Sequence, residues 1–372
     1  MAIVDMLDTG NTLDISGELL ISADSHVTEP GDLWKTGLPA SLRDDAPVFA
    51  DRRREGTAAH SAATMEAARP GGWDPTCRVK EMAEDGVSGE VLFPTLALRL
   101  YSLENATLQE ECFRLYNDWI AEYCREAPDR LFAIGTVAVY DIDHAIQEME
   151  RCKKMGFVGT MIWQVPHPDL PWNSDHYERF WSAAEDMEMP INLHILTGFD
   201  YSSRDRGGPI EAHRGSVNHK INGAANTLFD IIFTGVLERH QNLNVNVVES
   251  EVGWIPFYLQ QWDYYVRRFG STRPDGSGAR PLSIRMVPSE YFERQMSATF
   301  FDDPVGGKLF SWWGQNTCMW STDYPHPNSK WPESRAFLVK NMGHLDRPIL
   351  QKLVRDNAAK FYKIRIPEPV LV

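Results

Sequence analysis

Apolar residues along this chain fall into short runs separated by loops and by stretches in which apolar positions recur every three or four residues. The short runs predict strands at Leu19–His26, Gly89–Thr95, Phe132–Val139, Thr160–Val165, Ile191–Ile195, Leu243–Glu249, Ser297–Phe301 and Thr317–Asp323. They are rich in β-branched residues and bounded by Gly, Pro or Asn, the pattern of parallel strands buried on both faces. Between them, Asp143–Met155 sets Ala145, Ile146, Met149, Cys152 and Met155 near one helical face, with Asp141 or Asp143 as N-cap. Ser174–Met187, Ala224–Leu237, Pro304–Trp313 and Pro348–Tyr362 have the same character. Eight strands alternating with helices predict an α/β fold, a closed (β/α)8 TIM barrel forming a single domain over residues 1–372. A doubly wound open sheet competes, but no Gly-x-Gly-x-x-Gly follows the first strand.

Four stretches break the rhythm. Residues 1–18 form an N-terminal extension, and 41–75, 197–222 and 271–290 are charged or Gly/Pro-rich insertions placed to cover a barrel mouth. A hydrophobic fraction of 43% suits a large core, and a net charge of −15 argues against nucleic acid as a partner. The five cysteines are widely spaced without a C-x-x-C pair, as expected of reduced thiols in the cytoplasm. The acid-bearing N-terminus is no signal peptide, and no apolar run approaches the roughly 18 residues of a membrane span.

In a parallel barrel, chemistry gathers where strands end at their carboxyl side. The first strand ends Asp24-Ser25-His26, and strand alternation puts Asp24 and His26 on one side. The fifth ends with His194, the sixth with Glu249 and the eighth with Asp323. One such ending is commonplace, and a lone histidine there is usually structural. Together they supply two imidazoles and three carboxylates, a set suited to Zn²⁺, Mn²⁺ or Fe²⁺. His326, between two prolines just beyond the eighth strand, and His167, after the fourth, are further candidates, each of which could equally be packing. If the first and eighth strands close the barrel, His26 and Asp323 must come within roughly 5 Å of each other.

These residues carry a family resemblance. The segment Asp24-Ser25-His26-Val27-Thr28-Glu29-Pro30, then residues 78–95, Asn192-Leu193-His194, residues 249–257 and residues 321–334 resemble the amidohydrolase-related proteins called amidohydrolase family two. The resemblance runs from about residue 20 to 362. It implies a barrel with one divalent metal per chain (Zn, Mn or Fe) held by Asp24, His26, His194 and Asp323, with Asp323, His326 and Glu249 as catalytic groups. Asp-x-His stands where many members have His-x-His, and the fourth strand lacks a lysine for a carbamylated bridge.

The resemblance leaves the reaction open. A metal of this kind activates water for hydrolysis or polarises a substrate oxygen, as in non-oxidative decarboxylation of hydroxybenzoates. Some similar proteins hold two iron or manganese ions and act as oxygen-activating monooxygenases or thioester hydrolases. Glu81, Glu249 and His326 would hold the second ion here. A non-catalytic barrel subunit is the remaining alternative, disfavoured by the intact ligand set. The partner expected is a small cyclic or carboxylate-bearing substrate, for which Arg99, Arg204, Arg206 and Arg214 are candidate anion contacts. Twelve tryptophans, with pairs such as Trp312-Trp313 and Tyr264-Tyr265, point to a homodimer or larger homo-oligomer, or to a hetero-oligomer with a paralogue.

Overall fold

The computed structural model describes residues 11, 13–50, 69–198, 218–269 and 283–367. Eight parallel strands run in chain order around one sheet: β1 (Leu20–Val27), β2 (Val87–Pro94), β3 (Leu131–Thr136), β4 (Gly159–Ile162), β5 (Ile191–His194), β6 (Val245–Val248), β7 (Met296–Phe300) and β8 (Cys318–Trp320). Every residue of these strands is buried, as a barrel packed inside and wrapped by helices requires. The expected strands fall within a few residues of these. β8 is the shortest, and the residues after it close the barrel through side chains and irregular backbone. Asp323 N–H donates to Asp24 O at 3.1 Å, His26 N–H to Tyr324 O at 2.6 Å, and Thr322 N–H to Ser22 Oγ at 2.8 Å.

The helix expected from Asp143 runs Ile142–Lys154, capped by Asp141, whose carboxylate accepts the N–H groups of Asp143 and His144. Residues 348–362, expected as one helix, form two short α-helical pieces around a π-helical turn at Lys352–Asp356. Helices Leu33–Gly37, Ala106–Cys124, Pro288–Gln295 and Ser334–Met342 lie outside the expected set, while Pro75–Asp85 and Ile255–Phe269 fall where the resemblance over residues 78–95 and the helical spacing of residues 253–269 place helices. Helix 75–85 starts on an Asp74 cap and ends at Gly86, whose φ of +70° is a left-handed turn that feeds β2 directly. Among the described residues no helix is long and apolar enough to cross a membrane, and Cys77, Cys112, Cys124, Cys152 and Cys318 are free thiols.

Helix 75–85 carries a buried cation to the barrel closure. Arg78 is fully buried; its Nε pairs closely with Glu90 of β2, and its Nη1 donates to His26 O at 2.7 Å and Gly71 O at 3.2 Å. Its guanidinium lies 4.5 Å from the Tyr324 ring centre. Burial works against its charge, but Glu90 more than compensates and holds the guanidinium firmly protonated. One side chain thereby ties β1, β2 and the segment after β8. Arg78→Met would strand the Glu90 carboxylate in the interior and is expected to cost about 3–5 kcal/mol. The thermal and urea midpoints should fall, and adding Glu90→Gln should recover part of the loss. An unchanged midpoint in Arg78→Met would remove Arg78 from the closure.

Candidate metal centre

β1 delivers Asp24 and His26 to the barrel axis. A one-residue bulge lies between Ser22 and Ser25, where the β2 partners advance only from Glu90 to Leu92. His26 Nε2 lies 3.4 Å from Asp24 Oδ1, 3.5 Å from Asp323 Oδ1 and 3.7 Å from Glu249 Oε2. His194 Nε2 lies 3.5 Å from Glu249 Oε2 and 3.7 Å from Asp24 Oδ1. These separations suit donors around a shared cation better than hydrogen bonds. Two overlapping sets, Asp24–His26–His194–Glu249 and His26–Glu249–Asp323–His326, each bring their donor atoms within 4.8 Å of one another. The separation expected between His26 and Asp323 is met.

The ring nitrogens facing away from this point are anchored. His26 Nδ1 bonds Pro94 O at 2.8 Å and His194 Nδ1 bonds Ile195 O at 2.7 Å, which leaves each Nε2 directed inward as an acceptor. Glu249 and Asp323 sit at φ of +58° and +53°, a left-handed backbone that costs on the order of 1–2 kcal/mol per non-glycine residue. Glu249 turns inward immediately after β6, and Asp323 three residues beyond the end of β8. The Glu249 turn is fixed by its N–H, which donates to Thr299 Oγ1 at 2.8 Å.

Buried without a hydrogen-bond partner are both carboxylate oxygens of Asp24, one each of Glu249 and Asp323, and Nε2 of His26 and of His194. Six orphaned lone-pair donors pointing at one place are hard to reconcile with anything but a cation. The electrostatics agree. Burial pushes the carboxyl groups of Asp24, Glu249 and Asp323 above their usual range, with mutual repulsion adding to the effect. Burial and the neighbouring histidines push His26 well below its ordinary value. For His194 burial acts downward, but the Asp24 carboxylate outweighs it and the imidazole ends higher than usual. The cluster can hold a metal ion.

His326 stands over this group, its ring stacked on that of His26 at 3.9 Å, with Nδ1 2.8 Å from Asp323 Oδ1. Glu81 does not join either donor set. Its half-buried carboxylate accepts Gly71 N–H at 2.8 Å and a short bond from the Tyr324 hydroxyl. His167 is also apart, edge-on to Tyr140 with ring centres 6.0 Å apart. Arg99 is exposed on the turn 97–102, and Arg204, Arg206 and Arg214 lie outside the described residues.

Sequence reasoning missed Phe93, whose ring lies 6.2 Å from that of His26 and 5.3 Å from that of His194 and forms an apolar wall. It missed Lys220, with Nζ 3.8 Å from Glu249 Oε1, although this lysine sits inside the flagged 197–222 insertion. Arg69 was also passed over; it donates to Pro325 O and His326 O and so fixes the loop that carries His326.

A ligand bound only by the folded state stabilises it by about 2.7 kcal/mol at one hundred times its Kd. Adding Mn²⁺ or Zn²⁺ to chelator-stripped protein should therefore raise the thermal midpoint by several degrees. Asp24→Asn/Asp323→Asn should abolish that rise and the metal content by elemental analysis. A double variant that still binds metal and still responds would rule out these carboxylates as ligands.

The Amidohydrolase family profile matches residues 23–364. The chain is 26% identical over 268 residues to γ-resorcylate decarboxylase of Rhizobium radiobacter, covering 68% of this chain and 76% of that protein. It is 23% identical to 2-amino-3-carboxymuconate-6-semialdehyde decarboxylase of Dictyostelium discoideum, covering 78% of this chain and 76% of the relative. The fold is shared with a manganese-bound 5-carboxyvanillate decarboxylase from Novosphingobium aromaticivorans, at TM-score 0.73 and 19% identity over 95% of this chain and 99% of that one. It is shared also with 2,6-dihydroxybenzoate decarboxylase from Rhizobium, at TM-score 0.66 and 18% identity over 93% and 99%. With the profile spanning almost the whole barrel, and the cluster at its mouth, the chain is an enzyme of the amidohydrolase family.

Proposed function

We propose that this enzyme is a metal-dependent non-oxidative decarboxylase of an aromatic carboxylate. The observation that supports it most is the convergence of orphaned donors from β1, β5, β6 and β8 in a chain whose curated relatives include γ-resorcylate decarboxylases. Asp24, His26, His194 and Asp323 would hold one divalent ion, manganese being the ion bound in the 5-carboxyvanillate decarboxylase that shares this fold. Once bound, the ion would act as a Lewis acid toward the substrate's carboxylate and its neighbouring oxygen. In the reaction the bond from ring carbon to carboxylate breaks, its electron pair stays on the ring carbon and takes up a proton, and CO2 leaves.

The chain's own groups supply what that reaction needs. The Asp323–His326 pair holds a proton between Oδ1 and Nδ1, 2.8 Å apart, and is the group placed to pass a proton to carbon. Lys220, beside Glu249 Oε1, offers a cation to an anionic substrate. Phe93 gives the two metal-side imidazoles a dry face. Glu81, engaged by Gly71 and Tyr324, favours one ion over two. The free thiols suit a reducing cytoplasm. Exposed Phe257, Tyr264 and Trp312 support a homo-oligomer.

Manganese-loaded protein is expected to release CO2 from 2,6-dihydroxybenzoate or 5-carboxyvanillate, and Asp323→Asn to lose at least a thousandfold in turnover with its fold intact by circular dichroism. Hydrolysis of esters or lactones without CO2 release from any hydroxybenzoate would replace the decarboxylase reading with a hydrolase. For assembly, sedimentation equilibrium at micromolar concentration should give a particle of at least twice 42.3 kDa. A 42.3 kDa particle would refute the oligomer.

A further inference from the structure

Glu29 is a fully buried carboxylate that no part of the proposed reaction uses. It lies three residues beyond His26 and spends its oxygens on one loop. Oε2 accepts Thr95 N–H at 3.2 Å and Leu96 N–H at 2.9 Å, and Oε1 accepts Ala97 N–H at 3.0 Å. Three donors on a buried carboxylate make a strong, directional anchor. The same loop contacts both stacked imidazoles: Pro94 O bonds His26 Nδ1 at 2.8 Å, and Thr95 Oγ1 lies 3.0 Å from His326 Nε2.

We propose that Glu29 and Thr95 are positioning residues, Glu29 fixing the 94–97 loop so that the Thr95 hydroxyl donates to His326 Nε2 and keeps the His326 proton on Nδ1, facing Asp323. A neutral imidazole carries one proton. With Nε2 accepting from Thr95, that proton belongs to Nδ1, on the edge 2.8 Å from Asp323 Oδ1. The order Thr95–His326–Asp323 has the spacing of a hydroxyl–histidine–carboxylate triad. Thr95 is nevertheless no acyl-transfer nucleophile. Its own N–H and the two that follow it, the donors an oxyanion would need, are bound to Glu29.

The test uses full-length, zinc-reconstituted protein labelled with ¹⁵N-histidine, with His326→Gln identifying the His326 ring signals. Thr95→Val removes the hydroxyl at nearly constant volume. It should move the His326 Nε2 resonance toward that of an imine nitrogen without a hydrogen-bond donor and leave His26 in place. Thr95→Ser should restore the wild-type position. Glu29→Gln, which turns an amide N–H toward the loop's own donors, should disturb both His26 and His326. The kinetic arm rests on the decarboxylase reading: Thr95→Val should lower kcat about tenfold with KM within about twofold, and Thr95→Ser should recover most of it. An unmoved His326 spectrum in Thr95→Val, or a Thr95→Ser protein no better than Thr95→Val, overturns the proposal. A wild-type enzyme that decarboxylates nothing would end the reading of the reaction, while the ring spectra would still decide the role of Thr95.

Discussion

Three carboxylates and three imidazoles crowded into two overlapping sets, the donor atoms of each within 4.8 Å of one another, make up the constraint on which the rest of this structure depends. Like charges at such distances in a poorly solvated interior repel by several kcal/mol, and burial alone already drives the carboxyl groups toward their neutral forms. A chain folding into this arrangement needs a cation at its centre and rigid supports at its edge. The supports are visible: anchored Nδ1 atoms on His26 and His194, left-handed turns at Glu249 and Asp323, and backbone bonds joining Asp24 to Asp323 across the seam.

The seam between β1 and β8 is also where the barrel's regular pairing is thinnest, because β8 has only three residues. Regular strand bonds give way there to Ser22, Ser25 and Thr322 hydroxyls and to the Arg78 guanidinium. This division follows from the chemistry. A full β8 strand would carry Asp323 along the sheet, whereas the irregular ending lets it turn into the mouth. Arg78 thus joins stability to function: the carbonyl it holds belongs to His26, and its partner Glu90 belongs to the strand that carries Phe93 and leads to Thr95.

Much of this was legible in the sequence because strand periodicity and strand ends are local signals. Asp24 and His26 two residues apart, and His194, Glu249 and Asp323 each terminating an apolar run, needed only the rule that barrels work at their carboxyl ends. What stayed hidden depends on contacts between distant segments. Glu29 and Thr95 meet across 66 residues, and neither stands out beside the many other acids and threonines. Nothing in the sequence marks Arg78 and Glu90 as the buried pair that the fold makes of them. Helix 106–124 is a different case. Leu108, Cys112, Tyr116 and Ile120 recur every four residues, so its signal was present and simply passed over. The fragmented helix at 347–361 could not be foreseen, since a π-turn leaves apolar spacing nearly unchanged.

Glu81 shows how burial and hydrogen bonding decide between readings that share a motif. As an acid on a helix near the mouth, it was the natural oxygen ligand for a second ion. Its carboxylate instead accepts Gly71 N–H and the Tyr324 hydroxyl, and its main-chain oxygen accepts Trp331 Nε1–H at 3.0 Å. The Tyr324 and Trp331 bonds tie helix 75–85 to the segment that carries His326, and the Gly71 bond ties it to the turn 70–72 beside Arg69. Both donors hold Oε2, which fixes the carboxylate where it belongs to neither set of converging donor atoms. The same groups that withhold Glu81 from metal therefore brace the Asp323–His326 pair, and a one-ion centre with a braced proton-holding pair is the arrangement these contacts favour.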